Sequence, residues 1–122
     1  MAGERKKIPS IIALTNVIAA LESGSALQVL DPTSRAILKF VGLQNFQGQE
    51  VGASEILASL SSIASSVTLL NRISALDEGG WITREKSTLH HRRKSILLTK
   101  KARQEIDRLS LSLDDAMQTM VS

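Results

Sequence analysis

Ile11, Leu14, Ile18 and Leu21 recur at three- and four-residue intervals, and Ile12 and Val17 widen the stripe they make. This spacing predicts a helix from about Ser10 to Glu22, with Ser10 as N-cap and Gly24 as terminator. In a small chain, a helix apolar over so much of its circumference is expected to pack against a second subunit. Asp31-Pro32 predicts the start of another helix, because Asp caps and Pro needs no amide partner in the first turn. That helix carries Ile37, Leu38, Phe40 and Val41 inward and is expected to end before the polar segment Gln44 to Gly48. A short helix over Ala53 to Leu60 follows, led by Gly52 and by Glu55 three positions on, a capping box without its usual hydroxyl. Ser61-Ser62 breaks the pattern, and a longer helix runs to about Glu78, closed by Gly79-Gly80. A short and a longer helix joined by a tight turn predict a helix-turn-helix.

Beyond the glycine pair the period changes. Trp81-Ile82-Thr83 and Ser95-Ile96-Leu97-Leu98 are short, β-prone runs flanking a charged segment, the pattern of a hairpin with a long tip. Trp81 is expected to pack at the hinge between helix and hairpin. Thr99 then caps a last helix in which Ala102, Ile106, Leu109, Leu113, Ala116 and Met120 form an amphipathic stripe. The expected fold is mainly α with a small β-hairpin wing, a winged helix-turn-helix framed by terminal helices. We expect a single domain over residues 1–122, with 31–103 as the winged helix-turn-helix and 10–30 and 104–122 as dimerisation helices. The interface would draw on Ile11, Leu14, Ile18 and Leu21 from one end and Ile106, Leu109, Leu113, Met117 and Met120 from the other.

Composition narrows the chemistry. Aromatic residues make up only 2% of the chain, so the core must be aliphatic, which suits packed helices. With no cysteine, disulfides and thiolate metal sites are excluded. The net charge is only +3, but its distribution is uneven. Between Arg84 and Arg103 stand Arg84, Lys86, Arg92, Arg93, Lys94, Lys100, Lys101 and Arg103 against the single acid Glu85. Such a stretch predicts a polyanion-binding face on an otherwise balanced surface. Lys100 and Lys101 fall in the first turn of the last helix, where the macrodipole disfavours cations by a few tenths of a kcal/mol each. A visiting anion would offset that cost.

Several segments then bear a family likeness. Leu76-Asp77-Glu78-Gly79-Gly80-Trp81-Ile82-Thr83-Arg84 resembles the Leu-Glu-x-x-Gly-Leu-Ile-x-Arg approach to the wing in MarR-family bacterial regulators, and Leu98-Thr99-Lys100-Lys101-Ala102 resembles their Leu-Thr-x-x-Gly/Ala step into the last helix. The likeness covers about Asp31 to Arg108. Where the family has Asp-x-Arg near the second wing strand, this chain reads His90-His91-Arg92, keeping the Arg and lacking the Asp that commonly orients it. The terminal helices are also short for the family. The resemblance implies a sequence-specific DNA-binding transcription regulator, a homodimer that represses from a palindromic operator. It also implies a small apolar effector in the interhelical cleft.

On a 100° wheel the second helix of the motif places Ile63, Val67, Leu70, Ile73 and Leu76 inward. Ser61, Ala64, Ser65, Thr68 and Arg72 then face outward, with Asn71 at the border. Ser61, Ser65, Thr68, Asn71 and Arg72 are thus the candidate readers, Arg72 for guanine and Asn71 for adenine. The bland alternative is a small, solvated serine face. Arg84, Lys86, His91, Arg92, Arg93, Lys94 and Lys100 are the candidate wing and phosphate contacts. Adjacent histidines on a strand point to opposite faces and have no third ligand in view, so no metal and no cofactor are expected. No nucleophile elbow or phosphate loop stands in the sequence, and Asp114-Asp115 diverge on a helix, so no enzyme is expected.

Arg5, Lys6 and Lys7 before the apolar run Ile8 to Leu21 look like a leader, but Thr15 and Asn16 interrupt it and Glu22 occupies the cleavage region. No run reaches the ~18 uninterrupted apolar residues of a membrane span. A cytoplasmic, nucleoid-associated protein is expected. Two rivals stay open: a winged-helix protein–protein adaptor, and a weakly selective architectural DNA binder.

Overall fold

A computed structural model describes residues 8–89 and 92–121, the last two of these in backbone only. The basic residues Arg5 to Lys7, His90 and His91, and the side chain of Met120 lie outside the described part. The order is α1 (Ser10–Ser23), a 3₁₀ turn (Ala26–Val29), α2 (Pro32–Phe46), α3 (Ala53–Ser59), α4 (Ser66–Glu78), β1 (Ile82–Lys86), β2 (Lys94–Leu98) and α5 (Lys100–Val121).

The local signals act much as their chemistry dictates. Asp31 caps α2 by accepting the Ser34 N–H at 2.7 Å, with Pro32 in the first turn. Gly80 takes a left-handed φ of 78°, which a side chain would disfavour. It thereby closes α4 in a Schellman arrangement, the Trp81 N–H reaching the Leu76 carbonyl at 2.9 Å and the Gly80 N–H that of Asp77 at 3.1 Å. Thr99 donates to the Gly80 carbonyl at 2.6 Å and accepts the Ala102 N–H at 3.2 Å, tying the start of α5 to the end of α4.

Several boundaries differ from expectation, α1 and α2 among them. Pro9, rather than Ser10, stands at the N-cap of α1. α2 continues through Gln44 and Asn45 to Phe46. Asn45 is polar for a tertiary reason: its Oδ1 accepts the Leu98 N–H at 3.0 Å and its Nδ2 donates to the Ile96 carbonyl at 3.3 Å, satisfying the outer edge of β2.

The core lies between α2, α3, α4 and the base of the hairpin. Ile37, Val41, Val51, Ile56, Leu69, Ile73, Leu76, Trp81, Ile82, Ile96 and Leu98 are buried there. β1 and β2 pair antiparallel from Ile82↔Leu98 to Lys86↔Lys94. The Ile96 N–H also donates to the Val51 carbonyl at 2.7 Å, so the α2–α3 segment flanks the wing. α1 and α5 pack on each other at the opposite side of α2. No helix among the described residues is long and apolar enough to cross a membrane.

Candidate nucleic-acid interface

α4 starts at Ser66, with Ser65 as its N-cap accepting the Thr68 N–H at 3.2 Å. Its inner stripe is Leu69, Ile73 and Leu76, an i, i+4, i+7 pattern. The wheel expected from sequence is therefore turned. Ile63 lies in the turn before the helix, and Ile63, Val67 and Leu70 are exposed rather than buried. The outward surface centres on Val67, Leu70, Asn71 and Ser74, with Ser66, Ala75, Asp77 and Glu78 exposed around them, and among the central four only Asn71 was a reader expected from sequence. Ser61 sits in the turn and donates to the Ala58 carbonyl at 3.3 Å. Thr68 is half-buried and bonds the Ser65 hydroxyl at 3.1 Å.

Arg72 lies on the flank packed toward α2, where its Nε donates to Asp31 in an ion pair. Burial alone would raise the Asp31 pKa, but hydrogen bonds from Ser34 and Arg72 outweigh it and hold the carboxyl below its ordinary value. The same aspartate thus caps α2 and holds α4 in place, and Arg72 is a structural partner before it is a reader.

The wing is braced by two glutamates, Glu50, which the sequence did not single out, and Glu55, expected only as a capping residue. Glu50 accepts from the Thr88 N–H at 3.2 Å, from the Thr88 hydroxyl at 3.1 Å and from the Ser95 hydroxyl. The Ser95 bond, opposed by partial desolvation and joined by bonds from Ser87 and Thr88, lowers its pKa to about 2. Glu55 accepts the Gly52 N–H at 2.8 Å, completing half of a capping box at α3, and also pairs with Arg93. The guanidinium of Arg93 lies so close to Gly52 that a Cβ there would sit 2.7 Å from its Nε. Arg93, a phosphate contact expected from sequence, is accordingly half-buried against α3 and paired with Glu55. The wing thus has acidic supports from Glu50, ahead of α3, and from Glu55 in it.

The remaining wing cations are arranged differently. Opposed residues share a face of the hairpin, and the face that buries Ile82, Ile96 and Leu98 continues outward as Arg84, Lys86 and Lys94. Arg84 reaches back to α4, 3.3 Å from Asp77 Oδ2 and 3.4 Å from the Ser74 hydroxyl, which places this face beside the outward face of α4. Lys86 and Lys94 stand directly opposite each other. Lys86, Arg92, Lys94 and Lys100 are exposed and form no ion pair among the described residues. Lys101 behaves otherwise: its Nζ donates to the Gly79 carbonyl at 3.1 Å and lies 4.4 Å from the Trp81 ring centroid. Its place in the first turn of α5 is repaid at the C-terminus of α4, so it gives no sign of a visiting anion. Trp81 itself is buried at the hinge, as expected.

At the other end, the residues assigned to a dimer interface divide. Ile18, Leu21, Ile106, Leu109 and Leu113 line an apolar cleft of about 360 Å³ between α1, α2 and α5, with Glu22 in its wall. Glu22 is buried and salt-bridged to Lys39 at 2.7 Å and Arg35 at 3.7 Å. Leu14 is half-buried, while Ile11 and Met117 are exposed, as are Ile12 and Leu111.

The helix order, the hairpin after the second helix of the motif and the framing helices define a winged helix. Solved structures carry the same arrangement. A DNA complex of MepR from Staphylococcus aureus has a TM-score of 0.65 at 18% identity, over 90% of this chain and 83% of that one. MepR described as a transcription regulator of the multidrug efflux pump MepA has a TM-score of 0.64 at 20% identity, over 92% and 76%. The transcriptional regulator Tm0710 from Thermotoga maritima has a TM-score of 0.67 at 13% identity, over 90% and 74%. No family model and no curated protein matches the sequence. The chain has the winged-helix fold of these regulators.

Proposed function

We propose that this protein is a DNA-binding transcription regulator that places α4 in the major groove and the wing along the adjacent backbone. The observation that carries this reading is the opposed pair Lys86 and Lys94, without an ion-pair partner among the described residues, on the wing face beside the outward face of α4. Like charges directly across a strand pair are destabilising in the free protein. A row of phosphates neutralises them, and Arg92 and Lys100 extend the same attraction. The fold shared with a protein solved on DNA supports the same reading.

In this account the protein is a homodimer built through α1 and α5, with Ile11 and Met117 covered by the second subunit. It represses by occupying a roughly palindromic site with its two reading heads. The cleft between α1, α2 and α5 lies within the size range of small-molecule sites and suits a small apolar effector. The test is titration of random duplex DNA at several salt concentrations, followed by anisotropy of a labelled duplex. Binding that weakens steeply with salt is expected, and no binding at low salt refutes the proposal.

A further inference from the structure

The outward face of α4 has an unusual chemistry for a helix placed to read DNA. Val67 is 69% exposed and Leu70 45% exposed, and Asn71 and Ser74 adjoin them. These residues stand three and four positions apart and so form one contiguous patch. α4 itself contributes no cation to it: Arg72, the one basic residue of α4, is turned to Asp31, and Arg84 of the wing, which reaches Ser74 at the edge of the patch, is paired with Asp77. A bidentate arginine on guanine is therefore missing from the centre of the face, while aliphatic surface and one carboxamide are present.

We infer that α4 reads A·T base pairs, with Val67 and Leu70 against thymine C5 methyl groups and Asn71 on a neighbouring adenine. The inference rests on the DNA-binding reading above and deepens it. In the major groove the thymine methyl is the apolar feature among the base edges, and Asn fits the N6 and N7 of adenine in a bidentate way. Covering Val67 and Leu70 is favourable where the surface that displaces their water is itself apolar. The neighbouring cations Lys86, Lys94 and Arg92 supply attraction to the backbone without regard to sequence. Affinity and base preference are thus carried by separate elements.

The experiment is selection of duplexes bound by the full chain from a random pool, then replacement of each thymine in the selected site by deoxyuridine, symmetrically in both halves. The exchange removes only the methyl group. A·T pairs are expected at the most strongly selected positions, with a loss of about fourfold in affinity per buried methyl at one or two of them. In Val67→Ala the loss at one of those positions is expected to shrink below twofold, with the salt dependence unchanged. A thermal melt of the variant checks that this surface change leaves the fold intact. A selected site fixed by G·C pairs, or one in which no exchange alters affinity, overturns the inference and leaves DNA binding standing. Failure to bind any duplex at low salt overturns both, and the apolar patch then belongs to a protein partner.

Discussion

Replacing both wing lysines, Lys86→Ala with Lys94→Ala, separates the cost of that pair in the free protein from its use on DNA. The two residues are directly opposed at the outer end of the hairpin, with no acid paired to either among the described residues. Opposed Cβ atoms lie about 5 Å apart in such a pair. In water, two charges at that range repel by less than about 1 kcal/mol, and physiological salt reduces this to a few tenths. The double variant should therefore melt at the same temperature as the parent or slightly above it.

DNA binding should respond in the opposite sense. Each neutralised phosphate contributes about 0.9 to the slope of log affinity against log salt. With Lys86, Arg92, Lys94 and Lys100 engaged in both subunits of a dimer, the slope has a ceiling of about −7. Removing two lysines per subunit should bring it to about half that value, with the largest loss of affinity at low salt. The assay is anisotropy of a labelled duplex at four or more salt concentrations, alongside a thermal melt. An unchanged slope would show that the wing pair does not meet the backbone. A melt lowered by the equivalent of more than 1 kcal/mol would show instead that the lysines stabilise the fold.

Arg72→Ala should cost about 0.5 kcal/mol of stability by breaking the half-exposed pair with Asp31, with the selected DNA sequence unchanged; a relaxed base preference in a selection experiment would return Arg72 to the reading face. Glu50 has a folded pKa of about 2 against an ordinary 4.5, so its bracing of the wing is complete above about pH 4.5 and is lost as pH falls toward 2. The Thr88 amide should accordingly exchange faster in Glu50→Gln at neutral pH, and equal protection in the two proteins would show that the clamp does not hold the wing. Ile11→Glu with Met117→Glu places charge on the exposed flank of α1 and α5 and should convert a dimer to monomers by light scattering. A variant that keeps the parent's mass places the interface elsewhere.

Elements whose signals are local were legible in the sequence. Asp31-Pro32, Gly79-Gly80 and Thr99 act through hydrogen bonds to residues within a few positions or to the adjoining helix end, and the fold follows from them together with the α5 stripe. The phase of α4 was not legible, because Val67 and Leu70 offer an apolar stripe as convincing as Leu69, Ile73 and Leu76. Extending the wheel back to Ile63, which belongs to the turn, drew Val67 and Leu70 inward and left Leu69 out, while Ile73 and Leu76 are buried as expected. The partners of the cations were hidden for a different reason. Arg72 finds Asp31, Arg93 finds Glu55 and Lys101 finds Gly79, all across distances in the chain that no periodicity records. The stretch from Arg84 to Arg103 thus contained some cations committed to the fold and others displayed on the surface, and only packing tells them apart.

The most direct test of the central claim is a map of backbone amide chemical shifts as a short duplex is added to the full-length protein at low salt. Shifts concentrated on residues 65–75 of the α4 region and on 84–94 of the wing, with α1 and the far half of α5 unmoved, are the result expected here. Shifts confined to α1, α5 and their cleft, or none at all, would contradict it.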